Sequence, residues 1–402
     1  MVKPIVVVGA SVGGSTAANT LTQAGLPVIL LERDLNWVKP CGGALPPVAF
    51  EEFDIPESLI ARKVHKATIH SPSDRVAEID VAGRKRRSND YVAMTCREEL
   101  DPYLRNRAVK NGAELIEGKL TGLSVESDGV KVTYTPKGSR TSRVIDAEVV
   151  IGADGAYSTT AKLLNLPRLP QCVAIQERIV LPPDKMARWE DTASLYLGEN
   201  ISPDLYAWVF PKADHVAVGC GAGPGKTKEM RQLLANLKAR LGDQIEGGEI
   251  IMEEAHALPI HPRKHMAFDR VMLIGDAAGL VAGTSGEGIY WAMKSGHNAA
   301  RTLAEVLPQT SAQALRKYER EWWKEYGTMY RFLRWLQRWG YGSRRQMEVF
   351  TDMCRNKDVQ QLTFESYMHK RMTTVPWVSQ MRMTGDIIAA QVRHYLPARA
   401  AS

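Results

Sequence analysis

A chain of 402 residues is too long for one ordinary hydrophobic core and predicts two or three packed modules. Its 44% hydrophobic and 24% charged content is globular, which excludes a disordered or fibrous chain. The formal net charge of +7, from 52 basic and 45 acidic residues, admits anionic lipid or a phosphorylated substrate without demanding nucleic acid, and no nucleic-acid partner is expected.

The N-terminal apolar run flows straight into glycines, so it reads as a strand and not as a signal peptide. Residues 4–33, PIVVVGASVGGSTAANTLTQAGLPVILLER, predict a βαβ unit. Ile5 to Val8 form a strand buried on both faces. Ser15 to Ala24 form a helix closed by Gly25, and Val28 to Leu31 form a second strand ending on Glu32. The dinucleotide fingerprint GxGxxG falls on Gly9, Ser11 and Gly14, with serine at the middle position and Gly13 adding local freedom. The helix N-terminus offers free N–H groups and a positive dipole end to phosphates. Glu32 follows Gly14 at close to the spacing of a ribose-binding acid, and a carboxylate there disfavours NADP.

Residues 37–47, WVKPCGGALPP, set a thiol between a proline and two glycines. A metal, a disulfide, or a cofactor pressed against bare backbone are the three readings. Cys41, Cys96, Cys172, Cys220 and Cys354 are scattered without a CxxC, which argues against zinc or a disulfide framework and for a reducing compartment. Next, CREELDPYLRNRA places Arg97 at the start of a helix, where a guanidinium reaches a pyrophosphate. In residues 150–162 a strand from Ala147 to Ile151 runs into a sharp turn at Gly152, Asp154 and Gly155.

Residues 203–211, PDLYAWVFP, alternate Tyr206, Trp208 and Phe210 on one strand face. Two readings stay open: an ordinary half-buried strand, or a wall for a long apolar ligand. GCGAGPGKTKEM, residues 219–230, misses the phosphate-loop spacing by one residue and reads as a turn, so no second nucleotide fingerprint exists for NADPH. In residues 269–296 the strand Val271 to Ile274 ends at Gly275-Asp276, where ligands bind in open α/β sheets. A glycine-rich loop then reaches Gly286, Gly288 and a helix starting near Ile289. Residues 319–345 gather Trp322, Trp323, Trp335 and Trp339. Lys324, Arg331, Arg334, Arg338 and Arg345 are expected on one face of that helix. The helix either packs on the first module with solvated arginines or lies on an anionic membrane surface. No stretch approaches the ~20 apolar residues of a membrane span, so a soluble or peripheral protein on the cytoplasmic side is expected.

Taken together, Gly9 to Gly14 with Glu32, Arg97, Asp154-Gly155 and Gly275-Asp276 resemble the FAD-dependent para-hydroxybenzoate hydroxylase-like superfamily. KPCGGALP and the Y-x-W-x-F-P string are similar to segments of geranylgeranyl reductases. SGEGIYWAMKSG and residues 354–372 look like the reductases of (bacterio)chlorophyll biosynthesis. The resemblance implies an α/β fold with a Rossmann-like FAD-binding domain, an inserted antiparallel β-sheet substrate domain and a helical C-terminal region. The expected boundaries are 1–60, 90–165 and 265–318 for the first, 61–89 and 166–264 for the second, and 319–402 for the third. It implies FAD held by the loop Gly9, Val12, Gly13 and Gly14, by Glu32 and Arg33 at the ribose, and by Arg97 at the diphosphate. Asp276 takes the ribitol, and Gly286, Gly288, Ile289, Gly43 and Ala44 lie at the flavin. It implies Gly42, Tyr206, Trp208 and Phe210 against an isoprenoid, and Cys41 or Tyr206 as proton donor, with water held near the flavin as a third option. The implied reaction is reduction of geranylgeranyl to phytyl, on the diphosphate or on geranylgeranyl (bacterio)chlorophyll, with NADPH expected as electron donor and ferredoxin as the alternative. A flavin monooxygenase and a non-catalytic prenyl-chain binding protein are the alternatives.

Overall fold

The computed structural model describes residues 3–80 and 90–370, and these form two compact units. The first takes the chain up to Lys39, Arg97–Gln171 and Ala257–Phe332. Its eight-stranded sheet has the order Arg143–Ala147, Val130–Pro136, Glu114–Val125, Val28–Glu32, Ile5–Val8, Val149–Gly152, Val271–Leu273, Ala267–Phe268. The five strands from Glu114–Val125 to Val271–Leu273 are parallel. Ile5–Val8 lies at the middle of this run and is buried on every residue, as its unbroken β-branched sequence requires. The chain passes from Ile5–Val8 to Val28–Glu32 on one side and returns to Val149–Gly152 on the other. That reversal makes a topological switch point beside Gly9, where open α/β sheets bind ligands.

The helix after the first strand runs Val12–Gln23, three residues earlier than its apolar pattern alone predicts. It lies against the helix Ile289–Val306 through bare backbone. A Cβ on Gly13 would meet the Ala292 carbonyl at 2.9 Å, and one on Gly296 the Gly13 carbonyl at 2.4 Å. Trp291 and Trp322 are fully buried and join Tyr326 and Tyr330 in a cluster of edge-to-face and tilted rings, with centroids 4.8 to 6.2 Å apart.

The second unit takes the described residues of Pro40–Cys96 and Cys172–His256, and those from Leu333 onward. Its main sheet has the order Glu249–Leu258, Cys172–Val180, Val216–Ala222, Ser202–Pro211, Thr192–Gly198, Lys66–His70, Val76–Asp80. Thr192–Gly198 and Lys66–His70 pair in parallel. The ladders on either side of that pair are antiparallel. The helix Met230–Leu241 buries Leu233, Leu234, Leu237 and Leu241 in the core formed with this sheet, including Ile175, Val209 and Val218. A smaller sheet joins Ala44–Leu45, Val92–Thr95 and Ile60–Val64. Val64 and Met94 of this small sheet share a core with Trp208, Phe210 and Ala217 of the main one, and residues 40–60 and 90–96 fall in the second unit, where the sequence reading expects them in the first.

The basic-aromatic stretch is one 29-residue helix, Ala312–Gly340. Lys324, Arg331, Arg334 and Arg338 are exposed along it. Arg345 is not on it: the chain breaks at 341–343, and Arg345 belongs to the next helix, Arg344–Met353. Trp322 is core, whereas Trp335 is 56% exposed and stacks on Trp339 at 5.8 Å. Arg344–Met353 is held to the second unit by Arg75, whose guanidinium pairs with Glu348 and Asp352. The helix Lys357–Met368 follows. Residues 81–89 of the expected substrate domain and 371–402 of the expected helical region lie outside the described residues. Among the described residues no helix is long and apolar enough to cross a membrane, and no metal-ligating cluster occurs.

Candidate active site

The first unit holds a cradle built from absent side chains. Gly9 follows the first strand at φ +103, and a Cβ there would sit 2.5 Å from the Ala153 carbonyl oxygen. A Cβ on Gly14 would sit 1.8 Å from the Gly9 carbonyl oxygen. The loop therefore closes only on glycine at both positions. Ser11 stands at the helix N-cap without capping it. Its hydroxyl instead accepts from Arg97 Nη2 at 2.7 Å and donates to Asp101 Oδ2 at 3.0 Å. Arg97 is 4% exposed and forks onto Asp101, Nε to Oδ1 at 2.6 Å and Nη2 to Oδ2 at 2.8 Å. The serine that departs from the fingerprint thus ties the glycine loop to Arg97 and Asp101. Asp101, one helical turn after Arg97, escaped the sequence reading; its i,i+4 spacing was the available signal.

Glu32 Oε2 accepts the Ala10 N–H at 2.7 Å, so the acid at the end of the second strand also braces the loop. Arg33 is exposed, with its guanidinium over the Trp37 ring. Asp154 is engaged locally: it accepts from Ser158 Oγ at 2.6 Å and from Thr160 N at 2.8 Å, and burial raises its pKa. It shapes the turn that closes over Gly9.

Asp276 lies in the turn Gly275–Ala278 after Val271–Leu273, and its side chain is 5% exposed. Lys39 Nζ reaches its Oδ2 at 2.5 Å. A Cβ on Gly288, the residue before the 18-residue helix Ile289–Val306, would lie 3.5 Å from the other Asp276 oxygen. Val12 and Ile289 are buried at their helix starts, and Gly286 takes φ +61. Lys39 is a second residue that sequence reading passed over. A bare cradle at a helix N-terminus, a buried arginine and a buried acid on one sheet edge fit a dinucleotide with a polyol arm.

The second unit holds the thiol loop and the aromatic face. Cys41 and Gly42 are half-buried, and the Gly43 N–H donates to Cys41 Sγ at 3.3 Å. Gly43 has φ +72, with its Cβ position 2.2 Å from the Thr95 carbonyl oxygen. Ala44 begins the short strand Ala44–Leu45. Gly42 lies directly on the aromatic face: its Cβ position is 3.0 Å from Phe210 Cδ2 and 3.5 Å from Trp208 Nε1. Tyr206, Trp208 and Phe210 do share one face of Ser202–Pro211, with ring centroids 5.9 and 6.2 Å apart. Trp208 stands opposite Gly219 on the neighbouring strand, where a Cβ would be 2.3 Å from the indole. Gly219 to Ala222 finish the strand Val216–Ala222, so the GPGK string is a turn and not a phosphate loop.

Residues 3–324 match the FAD binding domain family. Geranylgeranyl diphosphate reductase of Synechocystis is 41% identical over 98% of this chain and 98% of its own length. The chloroplastic geranylgeranyl diphosphate reductase of Nicotiana tabacum is 39% identical over 97% of this chain and 86% of its own. The chain belongs to the geranylgeranyl reductase family. A Thermoplasma acidophilum protein described as geranylgeranyl bacteriochlorophyll reductase-like shares the fold, with TM-score 0.77 and 24% identity over 97% of both chains. The matched family makes FAD the cofactor of this chain.

Proposed function

We propose that this protein uses FAD to reduce isolated double bonds of a geranylgeranyl chain toward phytyl, carried either on the diphosphate or on geranylgeranyl (bacterio)chlorophyll. The observation that carries the reading is the Cys41–Gly43 loop lying on the Tyr206–Trp208–Phe210 face. Bare backbone over a wall of three aromatic rings suits a slender isoprenoid. FAD, once bound and reduced, supplies hydride to one alkene carbon.

The protein's own residues do the rest. An isolated alkene is a poor hydride acceptor, so a dry, tightly positioned chain supplies much of the barrier reduction. Glycines 42 and 43 permit close approach. The other alkene carbon takes a proton, for which the Cys41 thiol and the Tyr206 hydroxyl are the candidates. Cys172, Cys220 and Cys354 are buried, with thiols pushed up to about 12 by burial, and are unsuited to give protons at neutral pH. NADPH is proposed as the electron donor, without a nucleotide site of its own.

The purified enzyme is to be incubated without oxygen with geranylgeranyl diphosphate, with geranylgeranyl bacteriochlorophyll, and with NADPH, resolving products by mass. A pair of hydrogens gained per reduced bond is expected. Turnover that requires oxygen would instead make it a monooxygenase. In single turnover, Cys41→Ser and Tyr206→Phe are expected to slow flavin oxidation by about 10- to 100-fold for whichever residue gives the proton; unchanged rates in both exclude both.

The exposed Trp335 with Arg331, Arg334 and Arg338 suggests that the helix Ala312–Gly340 rests on an anionic membrane surface, where geranylgeranyl chains reside. Wild type is expected to float with anionic liposomes and the triple Arg→Glu variant to stay behind. Equal behaviour of the two removes the idea.

A further inference from the structure

Three consecutive carbonyl oxygens of the thiol loop are each held by a side chain from a different strand or strand end. Cys41 O accepts Gln176 Nε2 at 3.1 Å, Gly42 O accepts Lys212 Nζ at 2.7 Å, and Gly43 O accepts Thr95 Oγ1 at 3.1 Å. All three partners are buried, Lys212 at 3% exposure. Lys212 also donates to Thr95 O at 2.9 Å. Burying an ammonium is costly unless strong hydrogen bonds replace its water, and here backbone carbonyls do so. A surface turn has no need of such a cation.

Gln176 adds a link to the wall. The Trp208 indole N–H can only donate, so it meets Gln176 Oε1, at 3.3 Å. Cys41 O and Glu254 Oε1 can only accept, so they meet Nε2. Glu254 is fixed in turn by Arg178 Nε at 3.0 Å. Lys212 directly follows the aromatic strand Ser202–Pro211. Loop and wall are therefore bound into one body by two side chains, and the Gly43 N–H meets Cys41 Sγ only in this turn.

We propose that Lys212 and Gln176 are positioning residues for the reduction. They fix the Cys41–Gly43 backbone against the Trp208–Phe210 face, and so govern how the isoprenoid chain is seated and which of its double bonds are reduced. The proposal rests on the reading of that face as the chain-binding wall.

The test uses the full-length FAD-loaded enzyme with Lys212→Met, Gln176→Met and, beside them, Trp208→Ala. Flavin binding is followed by fluorescence titration, flavin oxidation by geranylgeranyl diphosphate in single turnover, and partly reduced products by mass. Lys212→Met is expected to keep FAD affinity within about threefold, to slow flavin oxidation at least about tenfold, and to enrich partly reduced chains. A substrate-dependent rate and product mix equal to wild type in Lys212→Met overturn the proposal. If that variant does not fold, Gln176→Met is judged by the same measures. Trp208→Ala separates the two ideas. Slowed oxidation there with an unchanged Lys212→Met sinks the positioning role alone, whereas no effect in either sinks the wall and the positioning role together.

Discussion

Gly14→Val should give a protein that purifies without flavin. The Cβ position of Gly14 lies 1.8 Å from the Gly9 carbonyl oxygen and 3.1 Å from the Ala153 side chain. The first of these is rigid backbone at the end of a fully buried strand, so no rotamer change relieves the overlap. The helix Val12–Gln23 must back away from the strand, and its N-terminal N–H groups leave the phosphates with it. A loss of at least ~100-fold in FAD affinity, about 3 kcal/mol, is expected in fluorescence titration. Gly25→Ala provides the comparison. Gly25 takes φ +76, but its Cβ position has nothing within 4 Å. Its cost is confined to left-handed strain of about 1–2 kcal/mol in stability, with FAD affinity unchanged. Stoichiometric flavin in Gly14→Val would sink this account of the cradle.

Gly219→Ala should leave flavin in place and cripple the reaction with substrate. Its Cβ would lie 2.3 Å from Trp208 Cζ2 and 2.7 Å from Gln176 Cβ, both buried. Trp208 has to swing off its neighbour strand, and the Gln176 contact with Cys41 O moves with it. Overpacking of this kind costs about 1–3 kcal/mol of stability. The displaced indole also disturbs the surface under Gly42, and a rate loss of ~10-fold or more follows in single-turnover flavin oxidation. FAD affinity in the first unit should be untouched, which separates this variant from Gly14→Val. A wild-type oxidation rate would show that Trp208 is core and nothing more.

The sequence made the first unit easy to read because its chemistry is local. Gly9 to Gly14, Glu32 and the Gly275-Asp276 turn each stand at a strand end, where hydrophobic periodicity and glycine spacing fall together. What stayed hidden was long-range pairing. Ser11 looked like a tolerated departure until Arg97 and Asp101 were seen on its hydroxyl, 86 and 90 residues away. Lys39 is unremarkable in sequence, and only the fold carries it to Asp276, 237 residues on. In the second unit the alternation of Tyr206, Trp208 and Phe210 gave one face correctly, yet nothing local told which strand would lie opposite or why Gly219 had to be bare. The basic face was legible for Lys324 to Arg338 and failed at Arg345, since a helical period extrapolates through a break that backbone geometry imposes at 341–343.

The interleaving of the two units bears on how the chain emerges from the ribosome. Val149–Gly152 pairs on its outer side with Val271–Leu273, more than a hundred residues later. At ordinary synthesis rates of about 5–20 residues per second, that edge stays bare for on the order of ten seconds. In the same interval Cys172–Val180, Ser202–Pro211 and Val216–Ala222 are made and can close their own antiparallel ladders. The second unit's sheet therefore has the kinetic opportunity to form first, while the cradle at Gly9 to Gly14, proposed here to hold the flavin, waits for Asp276 and the helix Ile289–Val306. Nascent chains arrested before that helix should lack flavin even when the cell is replete with it.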